Sequence, residues 1–387
     1  MHRIFTFRFV LLFGLCLSSC FFGCQISQTT FPETTIGKCD LSASLLKNLC
    51  PDEKEYLDWA ETYNLLPSFS DMSRENLLAT ARQFLDIDRA AALFYNRILR
   101  VPENHDFAEY LNRREKELLL TVPDYSSRDV VLAVVPGLFY RDAGPFPSDG
   151  RQIREAAGAI GLRNTLIQVD PSGSLEKNGR AICSYVNGEK TSAVILFSID
   201  KGSADVKKAI QLCGTDRYFS KVHAWYSVSG ILRGSPVVSG IEDSCFYRNE
   251  SKLYFCWNGY NKEGFSSLRQ NSGEEPFSLP AGLFAVSMVP LPLFRQVSER
   301  ARPYYEYMIQ FGPNDGMTLL ADAVIPGSTV FALWGKDHYS GMMMEKERMM
   351  AALAFFLEKE FPGATGKEPA PESSLIRDEK KAQNPPP

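Results

Sequence analysis

From about residue 128 onward the chain alternates unbroken apolar runs with amphipathic ones. Val130-Val131-Leu132-Ala133-Val134-Val135 is continuous and rich in β-branched residues, the pattern of a strand buried on both faces of a parallel sheet, and Pro136-Gly137 ends it. Further strands are expected at Thr165–Val169, Ser192–Phe197, Val222–Val228, Phe284–Val289 and Thr329–Trp334. Helical periodicity falls between them, over Arg151–Ile160, Leu175–Val186, Ala204–Leu212, Phe294–Ile309 and, last, Met343–Glu358. Strands alternating with helices predict an α/β fold with a doubly wound, mostly parallel sheet flanked by helices.

Upstream the pattern is helical throughout, over about 40–122. Leu41, Leu45 and Leu49 recur on one face with Leu46 beside them, and Ser73-Arg74-Glu75-Asn76 opens a run that places Leu77, Leu78, Ala81 and Phe84 together. The organisation expected is a leader at 1–19, a Thr/Ser/Gln-rich tether at 20–38, an all-helical extension at 39–125 and the α/β domain at 126–360, followed by a Pro/Glu/Lys-rich disordered tail at 361–387. Within the α/β domain, residues of about 232–282 mix Gly, Ser, Asn and aromatics and read as a lid-like insertion. The Met342-Met343-Met344 patch reads as core or lid packing.

The leader changes the picture of where the chain works. His2, Arg3 and Arg8 precede the short apolar run Phe9–Leu17, too short to span a bilayer, and Leu17-Ser18-Ser19-Cys20 follows. That tetrapeptide resembles a bacterial lipobox, which implies lipidation of Cys20, anchoring by its acyl chains and, with Phe21 rather than Asp next, the outer membrane of the cell envelope. An ordinary signal peptide cut near Cys24 is the alternative. In an oxidising compartment the close pairs Cys39/Cys50 and Cys245/Cys256 become candidate disulfides, the alternative being small buried residues. The formal charge of −4 and the lack of a long basic stretch argue against nucleic acid, and no Cys-x-x-Cys or His-rich spacing suggests a metal or cofactor.

The candidate chemistry lies where the third strand runs into Ser198-Ile199-Asp200-Lys201-Gly202-Ser203. A sharp strand-to-helix turn needs small residues two before and two after its apex. Ser198 and Gly202 meet that need around Asp200. Centring the turn on Ser198 puts Leu196 and Asp200 at the small positions, and centring it on Ser203 puts Lys201 there. Lys201, next along, offers its backbone N–H to a developing anion, and its side chain is a candidate ion-pair partner that would blunt Asp200.

This segment resembles the nucleophile elbow of the α/β-hydrolase superfamily, in the form small-x-Ser-Lys-Gly-small-x-Asp, with Asp200 where most relatives hold Ser. The resemblance covers about residues 128–358. Val228-Ser229-Gly230-Ile231-Leu232-Arg233-Gly234-Ser235-Pro236 is similar to the strand and turn after the elbow in lipase-like members, Gly312-Pro313-Asn314-Asp315-Gly316 to their acid loop, and Asp337-His338-Tyr339 to their terminal Asp-His. It implies Asp200, Asp315 and His338 as the catalytic set, in the family's chain order, with Asp322 and Asp337 as lesser candidates for the acid. It also implies Leu138 and Lys201 as backbone oxyanion donors.

The substitution breaks the step to a serine esterase, because Asp attacking an ester carbonyl would give a high-energy anhydride. Asp does serve as nucleophile at saturated carbon, and haloalkane dehalogenases and epoxide hydrolases of this fold carry Asp at the elbow, although Trp usually follows it there. Three readings stand: a hydrolase of ester-type or related small or lipid-like substrates, a catalytically inactive relative that binds a ligand or partner at the envelope, and an envelope interaction protein that works through its helical extension with the α/β domain as scaffold.

Overall fold

The computed structural model describes residues 51–141, 148–244, 255–256, 259–270 and 277–361. The leader, Cys20, the tether, Cys39, Cys50, Cys245 and the tail lie outside them. Four helices come first: α1 (Pro51–Thr62), α2 (Arg74–Phe84), α3 (Ile87–Leu99) and α4 (Pro102–Leu118). Then β1 (Val130–Val135), α5 (Arg151–Ala159), β2 (Arg163–Leu166), α6 (Leu175–Gly188), β3 (Ala193–Ile199), α7 (Lys201–Cys213) and β4 (Val222–Val228) alternate. After α8 (Pro236–Asp243) and the short α9 (Glu263–Ser266), the sheet resumes with β5 (Phe284–Leu291), α10 (Arg302–Met308), β6 (Thr329–Trp334), α11 (His338–Gly341) and α12 (Lys346–Glu360).

The six strands form one sheet in the order β2-β1-β3-β4-β5-β6, and every pairing is parallel. The apolar runs explain why: each residue of β1 and β3 is buried, with alternate side chains serving opposite faces. Leu132, Val134, Ile195 and Phe197 pack beneath α5, α12 and α4, while Val131, Ala133, Val194 and Leu196 pack beneath α6 and α7.

The first three N-terminal helices complete the second face. Met72, Leu77, Ala91, Leu93, Phe94 and Ile98 form one core with Val289 and Leu291 of β5 and Val330 and Ala332 of β6, the end of the sheet that α6 and α7 leave open. Asn104 of α4 accepts the β6 backbone N–H of Val330 at 2.7 Å and donates to the Ile98 carbonyl at 3.1 Å, which satisfies an edge-strand donor. Arg114–Glu358 and Arg348–Glu115, each with an N···O distance of 2.8 Å, tie α4 to α12.

A disulfide links Cys183 of α6 to Cys213 at the end of α7, with Cα atoms 6.2 Å apart. Neither cysteine belongs to the pairs expected from spacing. Cys256, of the expected Cys245/Cys256 pair, is exposed with its thiol free. Among the described residues no helix is long and apolar enough to cross a membrane.

Candidate active site

The turn between β3 and α7 holds Asp200 at φ 53°, ψ −125°, a backbone conformation that non-glycine residues rarely adopt. Hydrogen bonds on both sides fix it. Asp200 N–H donates to the Val228 carbonyl at 3.1 Å, and the Asp200 carbonyl accepts from Ile231 at 3.2 Å and Ser203 at 3.1 Å. Gly202 permits the turn, because a Cβ there would stand 2.5 Å from the Val135 carbonyl oxygen and 2.6 Å from that of Pro136. Ser198 meets the small-residue need from below: its hydroxyl is buried, receives the Trp225 indole N–H at 2.8 Å and pairs with the Ser203 hydroxyl at 2.9 Å.

Both oxygens of the Asp200 carboxylate are engaged. Oδ2 accepts the backbone N–H of Leu138 at 3.0 Å, from the loop after β1. Gly137 makes this approach possible, since a Cβ there would lie 2.8 Å from the same oxygen. Oδ1 stands 3.2 Å from Nε2 of His338. His338 Nδ1 stands 3.0 Å from Asp315 Oδ2, and the His338 backbone N–H donates to the Asp315 carbonyl at 2.8 Å. The other oxygen of Asp315 accepts the N–H groups of Met317 at 2.8 Å and Thr318 at 2.7 Å, so the carboxylate is locked in its loop. The structure thus brings Asp200, His338, Asp315 and the Leu138 N–H together.

Electrostatics follow from burial. Transfer from water by itself would depress the His338 pKa, but Asp315 and Asp200 on its two nitrogens outweigh that cost and hold it up to about 10. The two acidic partners favour the protonated ring, in which each nitrogen can donate to one of them.

The other sequence candidates have different partners. Asp322 pairs with Arg74 of α2. Asp337 caps α11, accepting the Ser340 N–H at 2.8 Å and the Ser298 N–H at 2.8 Å, and these bonds overcome burial to keep its pKa below the usual carboxylate value. Lys201 does not reach for Asp200. Its ammonium pairs with Asp205, one helical turn on, at 2.6 Å in the interior, and Asn178 donates to the same carboxylate at 2.9 Å. The expectation that Lys201 neutralises Asp200 is therefore corrected: the i, i+4 spacing on α7 gives it a nearer, buried partner. Burial pushes Asp205 up to about 6 against the opposing effect of Lys201. As the first residue of α7, Lys201 presents a backbone N–H that the helix does not use.

A cavity of about 300 Å³ opens over Asp200 and His338. Val237, Val238 and Ile241 of α8 and Phe265 and Leu268 around α9 form much of its wall. Met317 and Met342 add to the apolar lining, which places one methionine of the Met342–Met344 patch at the site; Met344 is buried elsewhere and Met343 is exposed. The α8 turn is tied to the acid loop through Ser235, whose hydroxyl donates to the Met317 carbonyl at 2.5 Å. Ser148 also lines the cavity, a residue that no sequence signal marks.

No protein-family model matches the chain, and no curated protein matches it in sequence. Solved structures do. A carboxyl esterase of metagenomic origin matches with a TM-score of 0.52 at 18% identity, over 66% of this chain and 91% of that one. The mature form of a Bacillus licheniformis lipase matches with a TM-score of 0.42 at 18% identity, over 62% of this chain and 94% of that one. A carboxylesterase from Bacillus subtilis matches with a TM-score of 0.36 at 8% identity, over 66% and 99%. The chain has the α/β-hydrolase fold that it shares with the first of these.

Proposed function

We propose that this α/β-hydrolase-fold chain is an envelope lipoprotein that hydrolyses small or lipid-like substrates, with the Asp200 carboxylate as nucleophile. The observation that carries the reading is the division of labour between the two oxygens of a cavity-lining carboxylate: Asp200 Oδ2 rests on the Leu138 N–H, and Oδ1 stands beside His338 Nε2. A carboxylate so held can attack a saturated carbon that bears a leaving group, as in an epoxide or an alkyl halide.

The chemistry then runs in two halves. Oδ1 forms a bond to carbon while the carbon–leaving-group bond breaks, and the departing atom takes its proton from the His338 imidazolium. The product is an alkyl ester of Asp200. Alkylation removes the Asp200 negative charge, so His338 loses one of the two partners that hold it protonated and becomes a base. It takes a proton from water as the water oxygen attacks Cγ, and the resulting oxyanion on Oδ2 is met by the Leu138 N–H. Collapse breaks the Cγ–Oδ1 bond, and the alcohol leaves with the proton from His338. Asp315 keeps the ring oriented throughout. The apolar walls from α8 and α9 suit a hydrophobic body on the substrate.

The Cys183–Cys213 disulfide supports an oxidising, exported location, in keeping with the lipobox at Leu17-Ser18-Ser19-Cys20. Loss of the lipid-dependent mobility shift in Cys20→Ala would test the anchor.

A second reading has its own observation. Asp200, His338 and Asp315 form a closed set of charge pairs, and an imidazolium held up to about 10 is no base in the free protein. A ligand-binding relative without turnover would keep such a set. The two readings separate on incubation with 4-nitrostyrene oxide, 1-bromohexane and 4-nitrophenyl butyrate. The hydrolase reading expects turnover of an epoxide or halide, abolished in Asp200→Asn, and a stable covalent adduct in His338→Gln by intact-mass measurement. No turnover and no adduct with any of these would leave the binding reading.

A further inference from the structure

Ser148 is 5% exposed, and among the described residues its hydroxyl has no hydrogen-bond partner. Buried hydroxyls are nearly always paired, because an unpaired one costs about 1–3 kcal/mol, so an orphan needs an occupant or a task. Among the described residues it is the unpartnered buried hydroxyl that lines the cavity over Asp200. Its position is defined by Gly137. The Cβ that Gly137 lacks would sit 2.8 Å from Asp200 Oδ2 and 3.2 Å from Ser148 Cβ, so the hydroxyl carbon and the carboxylate oxygen flank the same gap. Gly137 N–H donates to the Ser148 carbonyl at 2.8 Å, which pins Ser148 to the loop that supplies the Leu138 N–H. Ser148 therefore stands across Gly137 from Oδ2, the Asp200 oxygen that His338 does not face.

We infer that Ser148 is a further catalytic residue, a side-chain oxyanion donor for the hydrolytic half of the reaction; the inference rests on Asp200 being the nucleophile. When water attacks Cγ of the alkyl–Asp200 ester, its proton goes to His338 Nε2 and the carbonyl electron pair moves onto Oδ2. The Leu138 N–H meets that charge from the backbone, and the Ser148 O–H donates to it from across Gly137. The resting Ser148 hydroxyl is unpartnered and Oδ2 shares its charge with Oδ1 beside His338, so the Ser148 bond forms only as charge concentrates on Oδ2.

The test uses the full chain with 4-nitrostyrene oxide as probe, rapid-quench intact mass, and the variants Ser148→Ala and Ser148→Thr, each checked by thermal melt against wild type. Ser148→Ala should form the covalent adduct at the wild-type rate but break it down about 10²-fold more slowly, so that the adduct accumulates and kcat falls with kcat/KM held. Ser148→Thr, which keeps the hydroxyl, should restore breakdown. Adduct breakdown in Ser148→Ala at the wild-type rate overturns the role of Ser148 and leaves Asp200 as nucleophile. Absence of adduct under rapid quench in wild type and both variants overturns the nucleophile itself, and this inference with it.

Discussion

At the residue scale the central fact is a carboxylate, not a hydroxyl, at the apex of the elbow. The apex was legible because the turn selects by size: Ser198 and Gly202 fit only around Asp200. The partners followed from the resemblance of their segments to the family's acid and histidine loops, and the structure sets His338 and Asp315 beside Asp200. Lys201 was misread because adjacency in sequence is a poor guide on a helix, where the residue four along is the neighbour, and Asp205 stands there. Ser148 was invisible, since a lone Ser after Pro145-Phe146-Pro147 has no pattern, and only the fold brings it beside Gly137. The His338 array has a consequence for pH. Its pKa in the folded chain is raised from 6.5 to about 10, so the native state holds a proton that the unfolded chain releases. That stabilisation is fully present below about pH 6.5 and is lost as pH rises through 10. Melting curves should show wild type losing stability between pH 7 and 10 more steeply than His338→Gln; parallel curves would contradict the array.

At the element scale the central strands were readable and the margins were not. β1, β4 and β6 fall where their apolar runs predict. β2 is an edge strand and, unlike β6, largely uncovered, so its residues carry little hydrophobic signal, and it forms at Arg163–Leu166 rather than Thr165–Val169. The helix expected over Phe294–Ile309 forms only from Arg302, because Pro303 lacks the N–H that a helix interior needs and is tolerated in the first turn. The elbow depends on its glycine more than on any side chain. Gly202→Ala should destabilise the chain by about 1–3 kcal/mol in chemical denaturation and displace Asp200 enough to abolish turnover, since the clash is with two backbone carbonyls. A variant with wild-type stability and activity would mean that the turn relaxes freely.

At the scale of the molecule, the N-terminal helices are part of the sheet's covering and leave the cavity to the insertion. Their helical nature was evident from periodicity, but their place over β5 and β6 depends on residues some 200 positions apart, such as Arg74 with Asp322 and Asn104 with Val330. The disulfide was missed for the same reason: Cys183 and Cys213 are 30 residues apart, and only the side-by-side packing of α6 and α7 joins them. Closing that loop should contribute about 3–4 kcal/mol, so a reductant should lower Tm in wild type and leave a Cys183→Ser/Cys213→Ser double variant unmoved. An equal response in both would assign the effect elsewhere.

The whole account turns on which atom of the protein attacks the substrate, and isotope labelling reads that atom directly. Excess protein is allowed a single turnover of 4-nitrostyrene oxide in ¹⁸O water, and the peptide containing Asp200 is then weighed. A carboxylate nucleophile places the water oxygen on Cγ of Asp200, so the first-turnover diol carries unlabelled oxygen from Oδ1 and the Asp200 peptide gains one ¹⁸O. Label in the diol with none on Asp200 would mean that water attacks the substrate directly, and would contradict the role given to Asp200.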